Sequence, residues 1–61
     1  MNGKKVIVTL QNEGWEILRS QGSHYRLGKG SLRVTIPVHG SKDLGKGLLA
    51  AIERQTGVKL L

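Results

Sequence analysis

Sixty-one residues with ten Lys plus Arg against four Asp plus Glu carry a formal charge of +6 at neutral pH, and the chain has no cysteine. This excludes a disulfide scaffold and thiol chemistry and fits a reducing, cytoplasmic setting. It leaves room for a single domain over residues 1–61 with a thin core, because a chain this short buries only about 60% of the surface it exposes when unfolded. So dense a positive field points to a polyanion, nucleic acid first, against the plainer alternative of a basic soluble surface. No apolar run reaches the ~18 residues that a membrane span needs. Met1 to Lys5 leads into patterned sequence without a signal peptide's apolar stretch.

Asn2 is placed to cap a first helix over residues 3–12, in which Val6, Ile7 and Leu10 form a narrow apolar stripe and Gly14 supplies a left-handed stop. The β-branched run Val6-Ile7-Val8-Thr9 reads as a strand on propensity alone. Gln11, Asn12 and Glu13 break any period of two, and the helix prevails. Lys4 and Lys5 stand in its first turn, where the helix dipole disfavours cations unless an anion arrives.

Residues 15–19 read as a first strand whose alternation is imperfect because Leu18 is apolar out of phase. A turn over residues 20–23 leads to a cleanly alternating second strand at 24–27. Lys29-Gly30 reads as a two-residue hairpin turn, and residues 32–36 return as the third strand. That turn sets Leu27 opposite Leu32, Arg26 opposite Arg33, Tyr25 opposite Val34 and His24 opposite Thr35. Tyr25, Leu27, Leu32, Val34 and Ile36 then share one face, joined by Trp15 and Ile17, while His24, Arg26 and Arg33 share the other. Two arginines across a ladder repel each other, so either Glu16 as a surface ion-pair partner or a bound phosphate is expected between them.

Pro37, which has no N–H for the ladder, ends the third strand. The loop from Val38 to Asp43 leads to a second helix over about residues 44–55 with Asp43 as its cap and a stripe of Leu44, Leu48, Ala51 and Ile52. Thr56-Gly57 is a helix stop, and Val58, Leu60 and Leu61 are expected to fold back on the core. Gly45 and Gly47, flanking Lys46, weaken the first turn and leave backbone N–H groups open to a phosphate, with Lys42 and Lys46 adding charge. A loosely capped helix with solvated lysines is the plainer reading. The order α-β-β-β-α predicts an α+β fold of two layers, a three-stranded antiparallel sheet with both helices on its apolar face.

Histidine is the side chain best suited to exchange a proton at neutral pH. With one aspartate, no cysteine and no carboxylate pair at a catalytic or metal-binding spacing, His24 is the residue to which any chemistry falls. The element order, the basic charge, Glu13-Gly14-Trp15, Gly22-Ser23-His24, Thr35-Ile36-Pro37-Val38-His39-Gly40, the stretch from Lys42 to Leu48, and Gln55-Thr56-Gly57 together resemble the HicA toxin family of type II toxin-antitoxin pairs. The resemblance runs nearly end to end. It implies a fold like that of double-stranded-RNA-binding domains, ribosome-independent cleavage of mRNA, and a HicB-type antitoxin as partner. His24 matches the histidine on which the family's activity depends; His39 matches a recurring loop position, as an RNA contact or a structural residue.

RNA carries its own nucleophile, the 2′-hydroxyl. Cleavage therefore needs a base, an acid and positive charge, and neither a metal nor another cofactor. The expected assignment is His24 as general base or acid, with Ser23, Arg26, Arg33, Lys42 and Lys46 holding RNA; the second proton-transfer role is open to His39, Tyr25, a lysine or water. The rivals are a non-catalytic RNA-binding module of the same fold and a protein-interaction domain whose charge serves an acidic partner.

Overall fold

The computed structural model describes all of residues 1–61 and has the order α1 (Gly3–Asn12), β1 (Glu16–Gln21), β2 (His24–Lys29), β3 (Leu32–Pro37) and α2 (Lys46–Thr56). No helix is long and apolar enough to cross a membrane. Helix α1 starts where expected, with the Asn2 side-chain oxygen accepting the Lys5 N–H at 2.9 Å. It ends on Gly14 at φ +95°, with the Gly14 N–H donating to the Gln11 carbonyl and the Trp15 N–H to the Leu10 carbonyl. This pair of bonds is the Schellman arrangement, and its accompanying apolar contact is between Leu10 and Trp15, both buried. The cap thus turns the chain and seats the first aromatic residue of the core in one move.

Three antiparallel strands lie in the order β1-β2-β3. Both connections are two-residue Gly-Ser turns, Gly22-Ser23 and Gly30-Ser31, with the glycines at φ +58° and +57° and no positive φ at either serine. A glycine at the first central position is the requirement of a type II′ turn, whose twist suits a hairpin. That requirement corrects the expected register. A Lys29-Gly30 turn would put a lysine in the left-handed region, so the chain turns at Gly30-Ser31 instead. Leu27 pairs with Val34, Tyr25 with Ile36, Arg26 with Thr35, Gly28 with Arg33 and His24 with Pro37. The slip is two residues, so each side chain keeps its face while every partner changes.

The core is Val6, Ile7, Leu10, Trp15, Leu27, Val34, Ile36, Leu49 and Ile52, with Tyr25, Val38, Leu44, Val58 and Leu60 half-buried against it. Both helices cover the sheet face that carries Leu27, Val34 and Ile36, as expected for two layers. Ile17 shares that side, opposite Leu27, but is 42% exposed. Gly3 lets α1 touch the end of β3, where a Cβ would overlap the Pro37 carbonyl oxygen.

Helix α2 begins two residues later than expected, with Gly45 as its N-cap and no side-chain capping bond. Asp43 does not cap it. Its backbone bridges Asn2 and its carboxylate lies 3.5 Å from the Met1 amino group. Leu44 therefore precedes the helix, and the buried stripe is Leu49 and Ile52 with half-buried Thr56, while Leu48 is 40% exposed. Gly57, at φ +74°, ends α2 and donates its N–H to the Glu53 carbonyl.

The tail then folds back by way of one carboxylate. Glu53 Oε1 accepts the N–H groups of Leu61 and Leu60, which hold its carboxyl below its ordinary value near 4.5, with Lys59 adding a smaller effect. Leu60 is half-buried by this docking, whereas Leu61 stays exposed. A lowered carboxyl pKa contributes stability that is full above the ordinary value and lost as pH falls through the lowered one. Acidification through the lowered carboxyl value is therefore expected to free the tail, read as a loss of hydrogen-exchange protection, relative to the intrinsic rate at the same pH, at the Leu60 and Leu61 amides while the sheet amides stay protected.

Candidate active site

On the sheet face away from the helices, an open groove of about 470 Å³ is lined by Leu18, Arg19, Gln21, His24, Arg26 and Thr35. His24 is the first residue of the central strand, immediately after the Gly22-Ser23 turn, and its side chain is exposed. It faces Gln21 on β1 and Pro37 on β3. The Ser23 carbonyl accepts the Val38 N–H at 2.7 Å, which prolongs the β2–β3 pairing one step past His24. The imidazole is thus carried on regular backbone held from both sides, the kind of support that fixes a catalytic group.

Arg26 follows two residues along the same face. Its Nη1 donates to Thr35 Oγ1 at 3.0 Å, the cross-strand neighbour that the corrected register supplies. Arg19 stands directly across β1 from Arg26. Two opposed arginines do occur on this face, but the pair is Arg19 with Arg26, not Arg26 with Arg33. Arg33 sits opposite Gly28, four residues or roughly 13 Å along the strand from His24. Its Nη1 donates to the carbonyls of Gly30 and Leu32 at 2.9 and 2.7 Å, which ties the guanidinium to the hairpin end. Glu16 lies opposite Gly28 and pairs with neither arginine; the one ion pair within 4 Å is between the Met1 amino group and Asp43.

The remaining expected contacts do not line the groove. His39 and Lys42 are exposed in a loop that leaves β3 at the His24 end of the sheet, closed by the Lys42 N–H donating to the His39 carbonyl with Gly40 at φ +58°. Lys46 opens α2 between Gly45 and Gly47, and a Cβ added to either glycine would meet nothing within 4 Å. Tyr25 faces the core side opposite Ile36, which removes it from the residues that could share proton transfer with His24.

The sequence reading missed Arg19 and Gln21. The signal was present in Leu18. Between Ile17 opposite Leu27 and Arg19 opposite Arg26 the register slips by one residue, so Leu18 is a β-bulge and not a break in the strand. A strand residue apolar out of phase, followed by alternation restored one step later, is how such a bulge reads.

Chemically, the groove offers one imidazole, two guanidinium forks that attract anions, and no carboxylate. The family model described as the HicA toxin of bacterial toxin-antitoxin matches residues 3–58 and so takes in every groove residue. The chain is also similar to a probable mRNA interferase HicA of Pseudomonas fluorescens (strain Pf0-1), 34% identical over 50 residues that cover 82% of this chain and 83% of that protein. No solved structure matches it.

Proposed function

This chain belongs to the HicA toxin family, and from that premise we propose that it is an endoribonuclease that cuts mRNA without a metal, with His24 as general base or acid. The observation that carries the proposal is the exposed imidazole of His24 in a groove whose other charged side chains are both arginines. In the reaction the 2′-hydroxyl gives up its proton and its oxygen attacks the neighbouring phosphorus. The bond from phosphorus to the 5′-oxygen breaks, a 2′,3′-cyclic phosphate remains, and the departing oxygen takes up a proton. His24 accepts the first proton or supplies the second, a role that contributes typically 10²–10⁴-fold to such reactions. The positive field of the groove's two arginines favours the extra negative charge of the phosphorane. The other proton-transfer role falls to water or to the loop bearing His39 and Lys42, which leaves the sheet beside His24.

The partner in this reading is a HicB-type antitoxin that neutralises the toxin by covering the groove. A basic surface favours fast association with an acidic partner through electrostatic steering. The test compares two oligonucleotides of one sequence, RNA and its 2′-O-methyl counterpart, in excess chelator. The expected result is cleavage of the RNA to cyclic-phosphate ends and an intact 2′-O-methyl strand. RNA bound with a steep salt dependence but never cut would overturn the proposal in favour of a non-catalytic RNA-binding module.

A further inference from the structure

We infer that Arg19 and Arg26 clamp a single RNA phosphate, the neighbour of the one that reacts at His24, and that the bulge at Leu18 builds the clamp. The ribonuclease reading supplies the identity of the anion; the clamp itself rests on this chain's own geometry. Side chains directly opposed on an antiparallel pair have Cβ atoms about 5 Å apart, and like charges at that spacing are destabilising. Arg19 and Arg26 are so opposed. All four carboxylates are elsewhere: Glu13 follows α1, Glu16 faces Gly28, Asp43 lies against the Met1 amino group, and Glu53 holds the tail. The free chain therefore keeps an uncompensated repulsion in its largest groove, which an anion between the two side chains would relieve.

The arginines' own partners are neutral. Arg26 is steered by the Thr35 hydroxyl at 3.0 Å and Arg19 by Gln21 Oε1 at 3.5 Å. Such partners orient a guanidinium without cancelling its charge and leave most of its five N–H donors free. Arg26 leans to Thr35 on β3 and Arg19 lies along β1 toward Gln21, so the two forks flank the groove and offer donors to the two non-bridging oxygens of a phosphodiester lying between them.

The bulge decides which way Arg19 points. As far as Ile17 the pairing is in step with Leu27 on the core side. Continued without interruption, it would set Leu18 opposite Arg26 and turn Arg19 inward opposite Tyr25. One extra residue moves Arg19 to the outer face, the re-aiming that bulges accomplish beside functional sites. Gly28 makes room for it, since a Cβ there would stand 2.7 Å from Leu18 Cδ1.

Arg26 lies two residues from His24, roughly 7 Å along the strand, a separation comparable with the step between successive phosphates of an RNA strand. The clamp thus holds the substrate one phosphate away from the reacting bond. Arg19 is a positioning residue, and its loss is expected to act on binding.

The probe is an uncleavable 2′-O-methyl RNA oligonucleotide, its affinity measured across a salt series for wild type, Arg19→Gln, Arg19→Lys and a surface control, Arg54→Gln, from the last turn of α2. Arg19→Gln is expected to weaken binding about tenfold at low salt and to reduce the slope of log K against log salt by about 0.7, the contribution of one phosphate contact on a single strand. Arg19→Lys should keep the slope and lose part of the affinity, and Arg54→Gln should change neither. With cleavable RNA, the Arg19→Gln effect should fall on KM and not on kcat. Thermal unfolding without added anion checks the fold: Arg19→Gln should melt no lower than wild type, since one of two repelling charges is gone. A wild-type affinity and slope for Arg19→Gln, or a loss matched by Arg54→Gln, would overturn the clamp even if RNA is still cut. Wild type that binds the probe but cuts no RNA would overturn the nuclease reading and leave the clamp standing.

Discussion

A His24→Ala protein is expected to lose RNA cleavage by about 10²–10⁴-fold, the range that a positioned acid or base contributes, while folding and binding RNA much as wild type does. The side chain is exposed, makes no hydrogen bond within the protein and belongs to no core cluster, so its removal opens no cavity. The backbone that carries it is held by pairing to Gln21 and Pro37, which the substitution leaves in place. A cleavage assay in chelator, run beside a melting curve and a binding isotherm with uncleavable RNA, separates the two effects. Unchanged cleavage by His24→Ala would remove the imidazole from the mechanism and leave the chemistry without a residue to perform it.

The second large effect is expected of Arg26→Glu, which should weaken both RNA cleavage and antitoxin binding. Reversing this charge places a carboxylate at the centre of the groove, where RNA phosphates and an acidic antitoxin alike would meet it. Removing one partner of a hydrogen-bonded charge pair at an interface typically costs 2–5 kcal/mol, or roughly 30- to several-thousand-fold in affinity. The fold should not suffer. The new carboxylate faces Arg19 across the ladder, an exposed ion pair worth about 0.2–1 kcal/mol in the direction of stability. Titration calorimetry with the antitoxin alongside the cleavage assay reads both effects. Cleavage lost with antitoxin affinity retained would mean that the two ligands use different surfaces.

The local chemistry of this chain is legible wherever a single residue decides the outcome. Asn2 and Gly14 bound α1 at 3–12, Gly57 ends α2, and Pro37 ends β3. His24 is legible for a different reason: a neutral-range proton carrier has few competitors in so small an alphabet. What escapes is whatever depends on register. The Gly-Lys-Gly-Ser run offers two adjacent turns, and only the cost of a left-handed lysine selects Gly30-Ser31. That choice moves Arg33 away from His24 and hands Arg26 to Thr35. The one-residue slip at Leu18 has the same character, since a bulge is a property of a pair of strands and is visible in one strand only as a broken period. Asp43 shows a third limit. It has the chemistry of a cap, but the chain's own amino terminus competes for its carboxylate, and the helix starts later without it.

The bulge also bears on the free edges of the sheet. An open three-stranded sheet has two outer strands, each a template on which another copy could add a strand, and β1 carries exposed Ile17 and Leu18 along its length. Cross-chain stacking needs a flat, regular edge, and an inserted residue twists that edge out of line while the arginine beside it adds charge. At the opposite margin Pro37 withholds a donor. On a basic, thin-cored chain with two open margins both features work against edge-to-edge pairing, and straightening β1 would give up that protection together with a positioned guanidinium.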